Sequence, residues 1–180
     1  MPAAKAANKP AKPKLSLAVQ YAVASKAVPT RAELRRWARA ALKQDIQATL
    51  RIVGEAEGRQ HNHDFRGKDY ATNVLTFAYG PGNEVTPHLP LPYAGGGRGE
   101  GVGRMPLIGD IVLCAPVVAR EAKAQKKPLA AHYAHLLVHG FLHLQGFDHE
   151  IEAEATVMEA LEGFIIQSLG YPDPYNERRQ

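Results

Sequence analysis

The chain has 180 residues, 45% of them apolar, and 22 basic residues against 18 acidic ones for a net charge of +4. That is enough for one buried core, and it excludes a wholly disordered chain; a lone cysteine, Cys114, excludes an internal disulfide. No run approaches the ~20 apolar residues that span a bilayer, and the start, MPAAKAANKPAKPK, lacks the apolar stretch of a secretory signal. A cytoplasmic protein with no membrane partner is expected.

Residues 1–13 are mostly Ala, Lys and Pro with little to bury, and read as a disordered basic arm. Lys5, Lys9, Lys12 and Lys14 precede any acid; without them the body carries 18 charges of each sign. Residues 14–176 read as a single domain. Leu15, Leu17 and Val19 alternate as in a strand. Thr30 with Glu33 forms a capping box and opens a helix whose apolar stripe is Leu34, Trp37, Ala38, Ala41 and Leu42. Thr49–Val53 predicts a second strand, residues 57–65 a short helix, and Asn73–Tyr79 a third strand. Residues 80–104 are dominated by Gly and Pro and predict a long mobile loop. Leu107–Leu113 is the next strand. Pro116 sits in the first turn of a helix reaching Gln125, Pro128 opens a longer helix through Leu144, and a last helix spans Ile151–Leu169. The resulting class is α+β: one small mixed sheet packed with helices, the C-terminal helices carrying the chemistry-bearing motif.

Charge is uneven along the body. Nine basic residues face five acids between Arg31 and Lys68, while Asp148–Glu162 holds six acids and no base. The basic segment admits a nucleic-acid partner, although by charge alone ordinary solvated helix faces are the better explanation.

Five of the eight histidines lie between His132 and His149. His139 and His143, four apart, fall on one helix face one turn apart, close enough to share a metal. Gly146 can adopt the left-handed conformation that ends the helix and turns the chain. His149 then returns as a third nitrogen ligand. Three imidazoles leave one tetrahedral position open, which is the layout of a catalytic zinc site, one ion per chain. Imidazole also suits nickel, copper and iron. The apolar surroundings, Leu136 to Leu144, favour an imidazole whose nitrogen is satisfied by a metal. His135 shares the ligand face and reads as a packing residue, a supporting role at the site being the competing reading. Asp148 reads either as a partner of a ligand imidazole or as a turn aspartate.

The spacing follows the long zincin motif except at Gly140, where zincin proteases place the glutamate that acts as general base. That departure, in His139–His149, resembles the YbeY family of bacterial endoribonucleases. Phe65-Arg66-Gly67-Lys68-Asp69, Thr72–Phe77, Gly109-Asp110-Ile111, Met158-Glu159 and Leu169-Gly170-Tyr171 resemble further family segments in the same order. The resemblance spans residues 45–176 and leaves the arm and the 80–104 segment unaccounted for. It implies a small α+β fold and a zinc held by His139, His143 and His149. It also implies cleavage of single-stranded RNA, processing of the 16S rRNA 3′ end, a part in ribosome quality control, and ribosomal or small-subunit partners. Arg66 falls on the family's functionally important arginine. The residues alone leave the general base open among a zinc-bound hydroxide, the RNA 2′-hydroxyl as nucleophile, Asp148 and His135. Two rival functions remain at this level: a zinc hydrolase of peptides or small amides, against which Gly140 argues, and a ribosome-binding protein with a structural metal.

Overall fold

Strand residues with alternating apolar side chains need a helix layer on the face they bury, and the chain supplies one on each side of a single sheet. The computed structural model describes residues 12–24, 27–79, 85–86 and 105–176. The basic arm up to residue 11 and most of the 80–104 segment therefore lie outside the described residues. Among these the order is β1 (Leu15–Tyr21), α1 (Arg31–Ala40), β2 (Ile46–Val53), α2 (Glu55–Arg66), β3 (Val74–Tyr79), β4 (Val85–Thr86), β5 (Leu107–Cys114), α3 (Ala115–Ala124), α4 (Leu129–Leu144) and α5 (Glu152–Ser168).

The sheet order is β1-β2-β5-β3-β4. β1, β2 and β5 run parallel, and β3 is antiparallel to both β5 and β4, so the sheet is mixed. Register sorts the side chains by period two. Leu17, Val19, Ala48, Leu50, Ile52, Ile111 and Leu113 enter the main core with α1, α4 and α5. Leu75, Phe77, Val112 and Cys114 fall in a second, smaller cluster on the other face, where α2 packs: Phe65 lies 4.7 Å from Phe77, ring centre to ring centre.

α4 is buried nearly all round, with Tyr133, Leu137, Phe141 and Leu142 fully inside. It touches α1, α3, α5, β3 and β5, which is why its sequence shows little polar face. It lies close on the sheet. A Cβ on Gly109 would stand 2.3 Å from Leu144 Cδ2 and 2.6 Å from the Phe77 carbonyl oxygen, so β5 carries no side chain there. The capping box at Thr30 forms: the Thr30 backbone N–H donates to Glu33 Oε2 at 2.8 Å and the Glu33 N–H donates to Thr30 Oγ1 at 3.3 Å.

β2 and α2 are longer than the sequence reading has them. β2 begins at Ile46, three residues before Thr49, because Ile46 and Ala48 already point into the core. α2 runs Glu55–Arg66 and ends at Gly67, whose φ of 65° is left-handed. Among the described residues no helix is long and apolar enough to cross a membrane.

Candidate metal centre

α4 ends in the turn its glycine forecasts. Gly146 has φ 85°, its N–H donates to the His143 carbonyl at 3.0 Å, and the Phe147 N–H reaches back to the Leu142 carbonyl at 3.1 Å. This six-to-one closure reverses the chain. Gln145, buried in the turn, donates from Nε2 to the Ala41 and Phe141 carbonyls at 2.9 and 2.8 Å and accepts the Lys43 N–H at 2.6 Å. The turn is thereby tied to the end of α1, and it delivers His149 opposite α4.

His139, His143 and His149 each offer a nitrogen within 4.8 Å of the others. His139 Nε2 and His143 Nε2 are 3.0 Å apart. The ring centres of His149 lie 5.4 and 5.1 Å from those of His139 and His143. His139 and His143 are half-buried and His149 is exposed, so the cluster opens to solvent on one side.

The acceptor that orders this cluster is Glu162 on α5, which has no exposed surface. Its Oε1 is 2.7 Å from His139 Nδ1, and its Oε2 is 2.8 Å from His135 Nε2 and accepts the Tyr175 hydroxyl. Burial alone would raise this carboxyl; the hydrogen bonds from His135 and His139 outweigh it and hold the group down at about 2. A carboxylate accepting at Nδ1 puts the His139 proton on that nitrogen and leaves Nε2 as a lone pair aimed at the cluster.

The donor set fits a zinc ion. Nitrogens about 2.0–2.1 Å from zinc at a tetrahedral angle stand roughly 3.3–3.4 Å apart, near the 3.0 Å seen between His139 and His143. Three neutral imidazoles with an open side suit an ion that keeps a position for water or substrate. The same nitrogens suit other first-row metals.

The family profile described as Endoribonuclease YbeY matches residues 20–170. The chain belongs to the YbeY family. It is 50% identical to the Endoribonuclease YbeY of Methylobacillus flagellatus, over 93% of this chain and 98% of that protein. It is 54% identical to the Endoribonuclease YbeY of Nitrosospira multiformis, over 95% of this chain and 86% of that one. The solution structure of a Thermotoga maritima protein shares the fold, with a TM-score of 0.53 and 20% identity over 91% of each chain.

Within this YbeY chain the remaining sequence candidates divide. Asp148 is a turn aspartate: its Oδ1 accepts the His149 backbone N–H at 2.7 Å. His135 supports the site through Glu162, a role beyond the packing assigned to it. His132 is buried beside Glu121, Nε2 to Oε2 2.8 Å, and Asn73 Nδ2 donates to the same carboxylate at 3.0 Å, so both lock α3 to its neighbours. Arg66 ends α2, and the fit of its neighbour Phe65 on Phe77 sets this helix on the face opposite α4. Partial burial lowers the Arg66 pKa from its ordinary value. Gly140 faces the sheet: a Cβ there would stand 3.1 Å from both Ile111 Cδ1 and Thr76 Oγ1. A side chain at this position presses on the sheet and does not enter the cluster.

Sequence reasoning missed Glu162 and Tyr175. Glu162 had a signal. It lies four residues after Met158 and four before Ile166, both buried, so it interrupts the apolar stripe of α5 with a carboxylate. Tyr175 lies past the last helix and carries no pattern.

Proposed function

We propose that this protein is a zinc-dependent endoribonuclease that cleaves single-stranded RNA, acting in the cytoplasm on the 16S rRNA 3′ end and in ribosome quality control. The observation that carries the reading is the convergence of His139, His143 and His149 on an open point, with one imidazole fixed by a buried carboxylate. The names borne by relatives at 50% identity and above supply the reaction class. His139, His143 and His149 would hold one ion per chain, which supplies polarisation of a phosphoryl oxygen and a bound water with pKa near ~7.

The chain's own residues do the rest. Glu162 keeps the His139 proton on Nδ1, and His135 and Tyr175 fix Glu162. The solvent-open side beside His149 admits an RNA strand. Arg66 is the candidate for binding the scissile phosphate: its planar guanidinium makes two parallel hydrogen bonds to one phosphate, which an ammonium cannot. The ribosome or its small-subunit proteins are the expected partners. Gly140 disfavours the peptidase alternative, since no general base can stand where zincin proteases carry theirs.

The test compares metal-loaded and metal-stripped protein on a defined single-stranded RNA, with Arg66→Lys and Arg66→Ala assayed at matched zinc content. Cleavage should vanish on stripping and return with zinc. Arg66→Ala should lower turnover by roughly 10²–10³-fold, the scale for removing one strong electrostatic donor, and Arg66→Lys by less, with melting temperatures unchanged. Cleavage that persists without metal refutes the zinc mechanism, and full activity in Arg66→Ala removes that residue from it.

A further inference from the structure

Parallel strands are normally covered on both faces, yet among the described residues β1, β2 and β5 are left partly bare on the face opposite α4. α2 covers only the end of that face near Cys114, where its Gly58 comes close enough that a Cβ would stand 2.9 Å from the Cys114 sulfur. Ser16, Ala18, Gln20, Gln47 and Ile108 on the remainder are exposed. Between this bare sheet and the side of α2 lies a cavity of ≈ 270 Å³. Thr49, Asp110 and Val112 come from the sheet, Tyr79 from the end of β3, and His61 and Phe65 from α2.

The chemistry of the cavity selects its ligand. Phe65 is 44% exposed, packs its ring against Phe77 and stacks at 6.2 Å from His61. It presents an aromatic surface on a backed support. Asp110 brings a carboxylate that already accepts the Tyr79 hydroxyl at 2.5 Å. Arg51 is neutralised within the protein, at 2.6 Å from Glu57 and 2.9 Å from Gln20. Among the described residues no unopposed positive charge lines the cavity, so a phosphate gains little there. A planar uncharged heterocycle gains stacking on Phe65 and an acceptor in Asp110. His61, on the same wall, has a buried Nε2 at 3.5 Å from Glu57 Oε1. In sequence, Phe65 is followed at once by Arg66 and, two residues later, by the exposed Lys68.

We propose that this cavity is a subsite for one unstacked base of a single-stranded RNA, with Phe65 as the stacking platform and the neighbouring phosphates directed towards the end of α2. Sheet faces and grooves that combine aromatic rings with polar side chains bind single strands in this way. The strand would pass the β3 edge between this subsite and the histidine cluster on the other face. The inference rests on the reading of the protein as an RNA nuclease and adds where a base flanking the phosphate assigned to Arg66 is held.

Ultraviolet cross-linking of the full-length, zinc-loaded protein to a short single-stranded RNA, followed by peptide mapping, tests it. Cross-links should fall on the segments carrying Phe65 and Tyr79. Thr49→Trp, which fills the cavity, and Phe65→Leu, at an exposed position, should each weaken RNA binding roughly tenfold and abolish those cross-links; melting curves confirm that each variant is folded. If Thr49→Trp does not fold, Phe65→Leu and the wild-type map decide. RNA that binds normally but cross-links only around His139–His149 overturns the subsite and leaves the nuclease reading intact. RNA that is neither bound nor cut overturns both.

Discussion

Glu162 shows how one side chain governs a site it does not enter. With no exposed surface, it accepts from His139, His135 and Tyr175. An amide in its place has one acceptor oxygen and turns a donor towards a donor. Glu162→Gln should therefore weaken zinc binding by about 10–100-fold, the usual effect of losing a group that orients a ligand histidine. Competition with a chelator of known affinity measures this, and unchanged zinc affinity would show that the bond does not matter. His143→Ala acts directly: wild-type protein purified without chelator should carry near-stoichiometric metal and the variant should lose most of it. Equal metal content in the two proteins would end the three-histidine assignment.

At the scale of the element, α1 depends on its first turn. Thr30 and Glu33 satisfy each other's backbone N–H groups, and these backbone and side-chain hydrogen bonds hold the Glu33 carboxyl below its ordinary value. Thr30→Ala should cost about 1 kcal/mol, the common cost of removing such a cap, readable in denaturant unfolding. A carboxylate with a lowered folded pKa stabilises above the ordinary carboxylate range, and its contribution is lost as pH falls through and below that range. Acidification should therefore destabilise the wild type slightly more than Glu33→Gln. Parallel stability curves for the two proteins from neutral pH to acid would contradict the linkage. α4 depends instead on its surroundings: with apolar residues on nearly every side it owes its stability to the elements packed around it.

For the whole molecule, Gln145 joins the metal turn to the end of α1 across more than a hundred residues of sequence. Gln145→Leu keeps the volume and removes the partners of the Lys43 N–H and the Ala41 carbonyl. Stranding these groups should cost about 2–3 kcal/mol. Urea unfolding reads this directly, and a change below half a kilocalorie would mean that water or relaxation replaces the bonds. The main core lies between the sheet and the layer of α1, α4 and α5, so the histidines at the end of α4 inherit a rigid support. The opposite face, only partly covered by α2, is where the chain keeps a cavity.

By itself the sequence determined most of the elements and picked out the three histidines that converge. Period-two and period-3.6 patterns, the Thr30 cap and the glycine at 146 are local features whose physics acts within a few residues, and so is the spacing of His139, His143 and His149. The basic arm and the 80–104 segment lie almost wholly outside the described residues, where those readings stand as expectations. Only the tertiary structure decided that Glu162 orders the cluster and that α2 lies on the face of the sheet opposite α4. Each of these depends on which helices pack side by side. That choice is made by burial of apolar faces, a non-directional force summed over the whole chain, so the interrupted stripe at Glu162 marks a buried carboxylate without naming its partners.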